Sequence, residues 1–154
     1  MKKLCCLFVL LALGLNAQNR KTINDSVFAV GDLVLLPEVR FSSCQPIAYT
    51  DTAIAQIANF LNSHKGLRCE MAVHTDTRGN KESNRLLTEA RGQSVFNELT
   101  HNYQVEKSQI SIKGYGSSAP LVSDEEIRQA KTKQEKEELH ARNRRIELKI
   151  LEIK

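Results

Sequence analysis

Hydrophobic and polar positions change period several times along this chain. Residues 27–30 and 32–36 are rich in Val and Leu. They predict a small hairpin turned at Gly31-Asp32, or an extended arm, before Pro37 interrupts them. Val39-Arg40-Phe41 alternates and predicts a first core strand. Thr50 or Asp51 can cap a helix to about Ser63, in which Ile54, Ile57, Ala58 and Leu61 form one apolar stripe. After Gly66, Leu67, Cys69, Met71 and Val73 alternate with Arg68, Glu70 and Ala72, the two-residue period of a strand.

A second helix is expected from about Lys81 to Leu99, with Leu86, Leu87, Ala90, Val95, Phe96 and Leu99 as its apolar face. Gln109 to Lys113 alternates around Ile110 and Ile112 and predicts a third strand. Gly114 and Gly116 flank Tyr115 and mark a turn. Ser123 and Glu126 form a capping box. The segment from there to about Ala141 carries many Glu and Lys and few core residues, so it reads as a solvated helix or a long excursion. Arg144 to Ile153 closes the chain as a strand with Ile146, Leu148 and Ile150 on one face. The order β-α-β-α-β-(α)-β predicts a two-layer α/β (α+β) sandwich, helices on one face of a mixed sheet.

Composition adds the export signal. Lys2 and Lys3 precede the apolar run Leu4 to Leu13, which is too short to anchor stably in a bilayer. Leu15-Asn16-Ala17 ends in a small residue suited to signal peptidase. Residues 1–17 therefore read as a signal peptide, with a mature start at Gln18; a retained N-terminal anchor is the alternative. Cys5 and Cys6 fall before or within the apolar run, which argues against a lipid anchor. Without Lys2 and Lys3 the chain keeps 20 basic against 18 acidic side chains, a balance of +2. That is no polyanion-binding signature, and the C-terminal basic residues are interleaved with Glu, so no nucleic-acid partner is expected. The expected division is signal 1–17, arm or hairpin 18–36, and a domain over 37–154 carrying a charged helical insertion at 123–141.

The mature chain keeps Cys44 and Cys69, which permits one disulfide or two buried thiols. His64, His74, His101 and His140 show no ligand spacing, so neither a metal nor a cofactor is expected. His74 and Asp76, at alternate positions of a strand end, do not face one another as a catalytic dyad would. Gly114-Tyr115-Gly116 lacks the third glycine and following helix of a phosphate loop.

The densest chemistry lies at Val73-His74-Thr75-Asp76-Thr77-Arg78-Gly79 and in the helix after it. Asp76 sits in a loop past a strand. Asn84, Leu87 (or Thr88) and Arg91 share one stripe of the following helix. A carboxylate and a guanidinium so placed can hold a zwitterion, the acid taking an ammonium and the arginine a carboxylate.

His74, Thr75, Asp76, Gly79, Asn84, Leu87, Arg91 and Val95, then Gly114-Tyr115-Gly116 and Pro120, then Asn143-Arg144-Arg145-Ile146-Glu147, fall in three ordered blocks over about residues 38 to 151. In these blocks the chain resembles the OmpA-like C-terminal domain, the peptidoglycan-binding module of Gram-negative envelopes. It departs at Val73, Thr88 and Gly92, where the family pattern has Gly, Ser and Ala. Ser42-Ser43-Cys44-Gln45 lacks an Asp often found there, while Phe41 fits the aromatic that borders the ligand cleft.

The resemblance implies noncovalent, non-catalytic binding of the stem-peptide diaminopimelate, with Asp76 on its ammonium and Arg91 on its carboxylate. Asn84 and Thr75 either touch the ligand or pin the loop. Leu87 lines the cleft wall or the core, and Arg144 lies near the cleft. It also implies a periplasmic location, in association with peptidoglycan and the outer membrane. An envelope protein docked through residues 18–36 is a further expected partner. The alternative is a protein-interaction module that keeps the fold and has lost the ligand.

Overall fold

The computed structural model describes residues 20–39, 41 and 51–154. Its elements are β1 (Arg20–Thr22), β2 (Leu33–Leu35), α1 (Asp51–Ser63), β3 (Leu67–His74), α2 (Lys81–His101), β4 (Ile110–Gly116), α3 (Asp124–Gln129), α4 (Lys133–Asn143) and β5 (Ile146–Ile153). One mixed sheet runs β1-β2-β5-β3-β4. β3 lies between β5, antiparallel to it, and β4, parallel to it. The predicted α/β order and mixed sheet are the ones observed.

The core lies between the sheet and α1 with α2. Alternation along β3 and β5 turns Met71, Val73, Leu148 and Ile150 inward to meet Ile54, Ile57 and Leu61 of α1 and Val95 and Leu99 of α2. The opposite pleat of β5 carries Glu147, only 2% exposed, against Arg145 and His74.

Several expectations give way to the structure. Residues 27–36 do not form a hairpin. β1 runs parallel to β2, and β2 pairs antiparallel with β5. The sheet edge at β5 offers backbone partners that a hairpin would have to supply itself: Gly31 N–H donates to Ile150 O at 2.9 Å, Ile150 N–H to Asp32 O at 3.0 Å, and Leu36 N–H to Ile146 O at 3.2 Å. Gly31 has φ +95°, which lets the chain turn onto that edge. The described part of the arm is therefore built into the sheet. Of the expected strand at 39–41, Arg40 lies outside the described residues and Phe41 makes a bridge; among the described residues β2 is the strand that precedes α1. Gly114 to Gly116 is the end of β4, not a turn.

The charged segment is two helices. Thr132 Oγ1 accepts from Glu135 N–H at 3.0 Å, and Glu135 accepts from Lys131 N–H at 2.7 Å. This side-chain cap at Thr132, with Glu135 reaching back to the residue before it, starts a new helix where Ala130 leaves the first. The predicted apolar face of α2 is also rotated. Its buried stripe is Asn84, Thr88, Gly92, Val95 and Leu99, and Leu86 and Leu87 are exposed.

Among the described residues Cys69 is a buried thiol without a disulfide, and burial pushes it up to about 12. Cys44, with which a disulfide is one of two alternatives, lies outside the described residues, as do residues 1–19 and Ser42-Ser43. Among the described residues no helix is long and apolar enough to cross a membrane.

Candidate functional site

β3 ends at His74, and the chain leaves the sheet with its direction still fixed. His74 N–H donates to Arg145 O at 2.9 Å, and Thr75 N–H donates to Gly116 O at 2.9 Å. Thr75 is buried and serves here through its backbone. The loop that follows is tied at three further points. Thr77 Oγ1 donates to the Asp124 carboxylate of α3. Asn84 Nδ2 donates to Arg78 O at 2.8 Å. Gly79 turns with φ +90°, and Asn80 caps α2 through bonds from Glu82 and Ser83 N–H. Asn84 thus pins the loop from the first turn of the helix.

α2 lies close on β4 because small residues face each other there. A Cβ on Gly114 would meet Glu89 N at 2.6 Å and Thr88 Oγ1 at 2.7 Å, and one on Gly92 would meet Ile112 Cγ2 at 2.5 Å. Gly92, a departure from the family pattern, is thus the residue that makes room for Ile112. Thr88 Oγ1 accepts from Gly116 N–H at 2.9 Å and satisfies a donor at the strand end.

Asp76 sits at the centre, 6% exposed. Its Oδ1 accepts from Arg78 N and Nε, both at 3.1 Å. Its Oδ2 accepts from Arg78 Nη2 and from Arg144 Nη1, both at 2.7 Å. Both guanidiniums continue to Glu137 of α4, Arg78 Nη1 at 3.0 Å and Arg144 Nη2 at 2.8 Å. Two carboxylates and two arginines close a ring that joins the loop after β3 to the end of α4. Burial alone would raise the Asp76 carboxyl, but the hydrogen bonds from Arg78 and Arg144 outweigh it and hold the group at about 2.

Arg91 stands beside this ring rather than in it. Its guanidinium lies 4.8 Å from the Phe41 ring centroid. Its Nε is buried without a hydrogen-bond partner among the described residues. Burial and the like charge of Arg144 pull its pKa down, while Asp76 pulls it up. Three cations therefore face two anions, and among the described residues Arg91 is the one left without a carboxylate.

Of the residues singled out from sequence, Asp76 and Arg144 are in contact, and Arg91 is close enough to feel both. Asn84 and Thr75 shape the loop. Leu87 is exposed on α2, and Thr88 takes the buried position beside it. Arg78 and Glu137 were not singled out. Arg78 had a signal, since an arginine two residues after an acid in a turn can fold back onto it; Glu137 had none.

A model of the OmpA family matches residues 47–134, which holds Asp76, Asn84 and Arg91. The chain belongs to the OmpA family. It is 32% identical over 108 residues to a peptidoglycan-associated lipoprotein of Legionella pneumophila, covering 65% of this chain and 55% of that protein. It is 30% identical over 77 residues to outer membrane porin F of Pseudomonas aeruginosa, covering 50% of this chain and 21% of the porin. The chain thus spans about half of the first relative and about a fifth of the second. Among solved structures, that of the peptidoglycan-associated lipoprotein from Burkholderia pseudomallei superposes with a TM-score of 0.55 at 23% identity, over 73% of this chain and 87% of the other. Arg144 and Glu137, which complete the ring, lie outside the span that the family model matches.

Proposed function

We propose that this protein binds peptidoglycan noncovalently and without catalysis, in the bacterial cell envelope, through the diaminopimelate of the stem peptide. One observation carries the reading: Arg91 is a half-buried guanidinium on an aromatic ring, with an unpartnered Nε, beside a ring that balances its own charges. Such a cation is poised for a carboxylate that none of the described residues supplies. A diaminopimelate side chain offers a carboxylate and an ammonium on one carbon, which matches Arg91 and Asp76 together. The family and the peptidoglycan-associated relative support the same class of ligand.

Co-sedimentation of the protein from Gln18 onward with purified sacculi tests this. Wild type is expected in the pellet and Arg91→Met in the supernatant, with folding checked by circular dichroism. Wild type left in solution would remove the reading and favour a protein-interaction module. Docking of an envelope protein through residues 18–36 is best tested with Val27→Ser and Val30→Ser in a pull-down. Both are exposed, whereas deletion would remove two strands. An unchanged partner set would exclude it.

A further inference from the structure

Asp76 has no acceptor position left. A carboxylate offers about four lone-pair sites, and here Arg78 N, Nε and Nη2 with Arg144 Nη1 occupy both oxygens. An ammonium arriving at Asp76 must displace a donor, and the donors differ in how easily they leave. The Arg78 backbone is locked into the loop by Asn84 and by the turn at Gly79. The Arg144 side chain is 34% exposed, while that of Arg78 is 54% exposed. The Arg78 head group also holds a second acceptor already, with Nη1 and Nη2 at 3.0 and 3.4 Å from Glu137. The Glu137 side chain is itself 53% exposed on α4. The guanidinium therefore has somewhere to go with its charge still paired.

We propose that the Arg78 side chain is a resident occupant of the cation position at Asp76, that a ligand's ammonium displaces it, and that Glu137 of α4 receives it. This rests on the peptidoglycan reading above and adds Arg78 and Glu137 to the residues that set specificity. The exchange makes the site selective for a particular pairing of charges. A lone amine competes with a tethered guanidinium at high effective concentration and loses. An ammonium whose neighbouring carboxylate is held by Arg91 gains the second contact and wins. The site thus takes a zwitterionic amino-acid end and rejects a simple cation.

Calorimetric titration of the protein with the tripeptide L-Ala–γ-D-Glu–diaminopimelate tests the exchange in wild type, Arg78→Gln, Glu137→Gln, the double variant and Arg91→Met. Arg78→Gln is expected to bind about two- to fivefold tighter, the worth of an ion pair at this exposure. Glu137→Gln is expected to bind weaker by a similar factor, and to have no such effect once Arg78 is replaced, because the acceptor then has nothing to receive. Arg78→Ala serves as a second variant if the glutamine amide refills the position, and circular dichroism confirms folding. Tripeptide bound by wild type and lost in Arg91→Met, but bound no tighter by either Arg78 variant, overturns the exchange and leaves the peptidoglycan reading standing. Failure of wild type and of both Arg78 variants to bind removes both. Binding that appears only when Arg78 is replaced supports the exchange in a stronger form.

Discussion

Arg144 Nη1 donates to Asp76 Oδ2 at 2.7 Å, joining residues 68 positions apart in the chain. Asp76 comes from the loop after β3 and Arg144 from the residue that follows α4, so the bond fixes the end of α4 to the loop. Arg144→Ala should lower stability by about 1–2 kcal/mol, below the full worth of a charged hydrogen bond because the side chain is one-third exposed. Urea unfolding followed by circular dichroism measures it. An unchanged midpoint would mean that the ring does not hold α4.

Acid should unfold the protein through two carboxylates. Asp76 is held at about 2 by Arg78 and Arg144 despite its burial, and Glu147 at about 2 by His74 and Arg145 despite its own. Both lie below their ordinary values of 3.8 and 4.5. A depressed carboxyl contributes stability that is fully present above its unfolded value and disappears as pH falls through the folded one. Stability should therefore drop between about pH 5 and 2. Asp76→Asn and Glu147→Gln should each flatten that drop in urea titrations across the window, and a slope equal to wild type would refute the assignment.

Gly114→Ala should cost about 2 kcal/mol or more, since its Cβ meets helix backbone that cannot yield. Gly92→Ala meets side-chain methyls of Ile112 and Val73 and no backbone, and alanine is about 1 kcal/mol better than glycine in a helix, so the net cost should be smaller. Thermal unfolding of the two variants ranks them. The reverse order would mean that α2 and β4 do not pack as closely as described.

Arg91→Met should separate binding from stability. A methionine keeps an apolar stem on Phe41 and removes a half-buried charge that has no hydrogen-bond partner at its Nε. Stability should hold or rise, because desolvating a cation that makes no ion pair among the described residues costs free energy. Sacculus binding should fall by about thirtyfold or more, the effect of losing about 2–4 kcal/mol with one partner of a desolvated charged pair. Pelleting isotherms and melting curves on the same preparations read both. A destabilised variant with normal binding would place Arg91 in the scaffold.

Much of the fold was legible because its signals are local. The alternation of Leu67 to Val73 and the 3.6-residue stripe of Ile54, Ile57, Ala58 and Leu61 need no distant partner to be read. The N-terminal segment misled because Val27 and Val30 look like strand residues, yet the β5 edge selected residues 33–35, and residues 20–22 paired with those in turn. Which extended segment enters a sheet depends on the free edge it meets. The Thr132–Glu135 cap was also readable in principle, as the same motif as Ser123–Glu126, but uniform charge along the segment masked it. On α2, Leu86 and Leu87 promised burial by hydrophobicity. The close approach of Gly114 and Gly116 instead selected the small or compact Thr88 and Gly92 for the inner face.

By itself the sequence determined the alternation of helices and strands from α1 to β4, the place of Asp76 at a strand end, and the presence of Arg91 on the helix that follows. Those follow from periodicity and spacing, which act over one or two turns of chain. Tertiary structure alone decided which charges meet. Glu137 is 59 residues from Arg78, and Arg144 is 68 from Asp76, so no local spacing relates them. Only docking the loop after β3 against α4 brings four charges into one ring and leaves Arg91 beside it, its Nε unmet among the described residues.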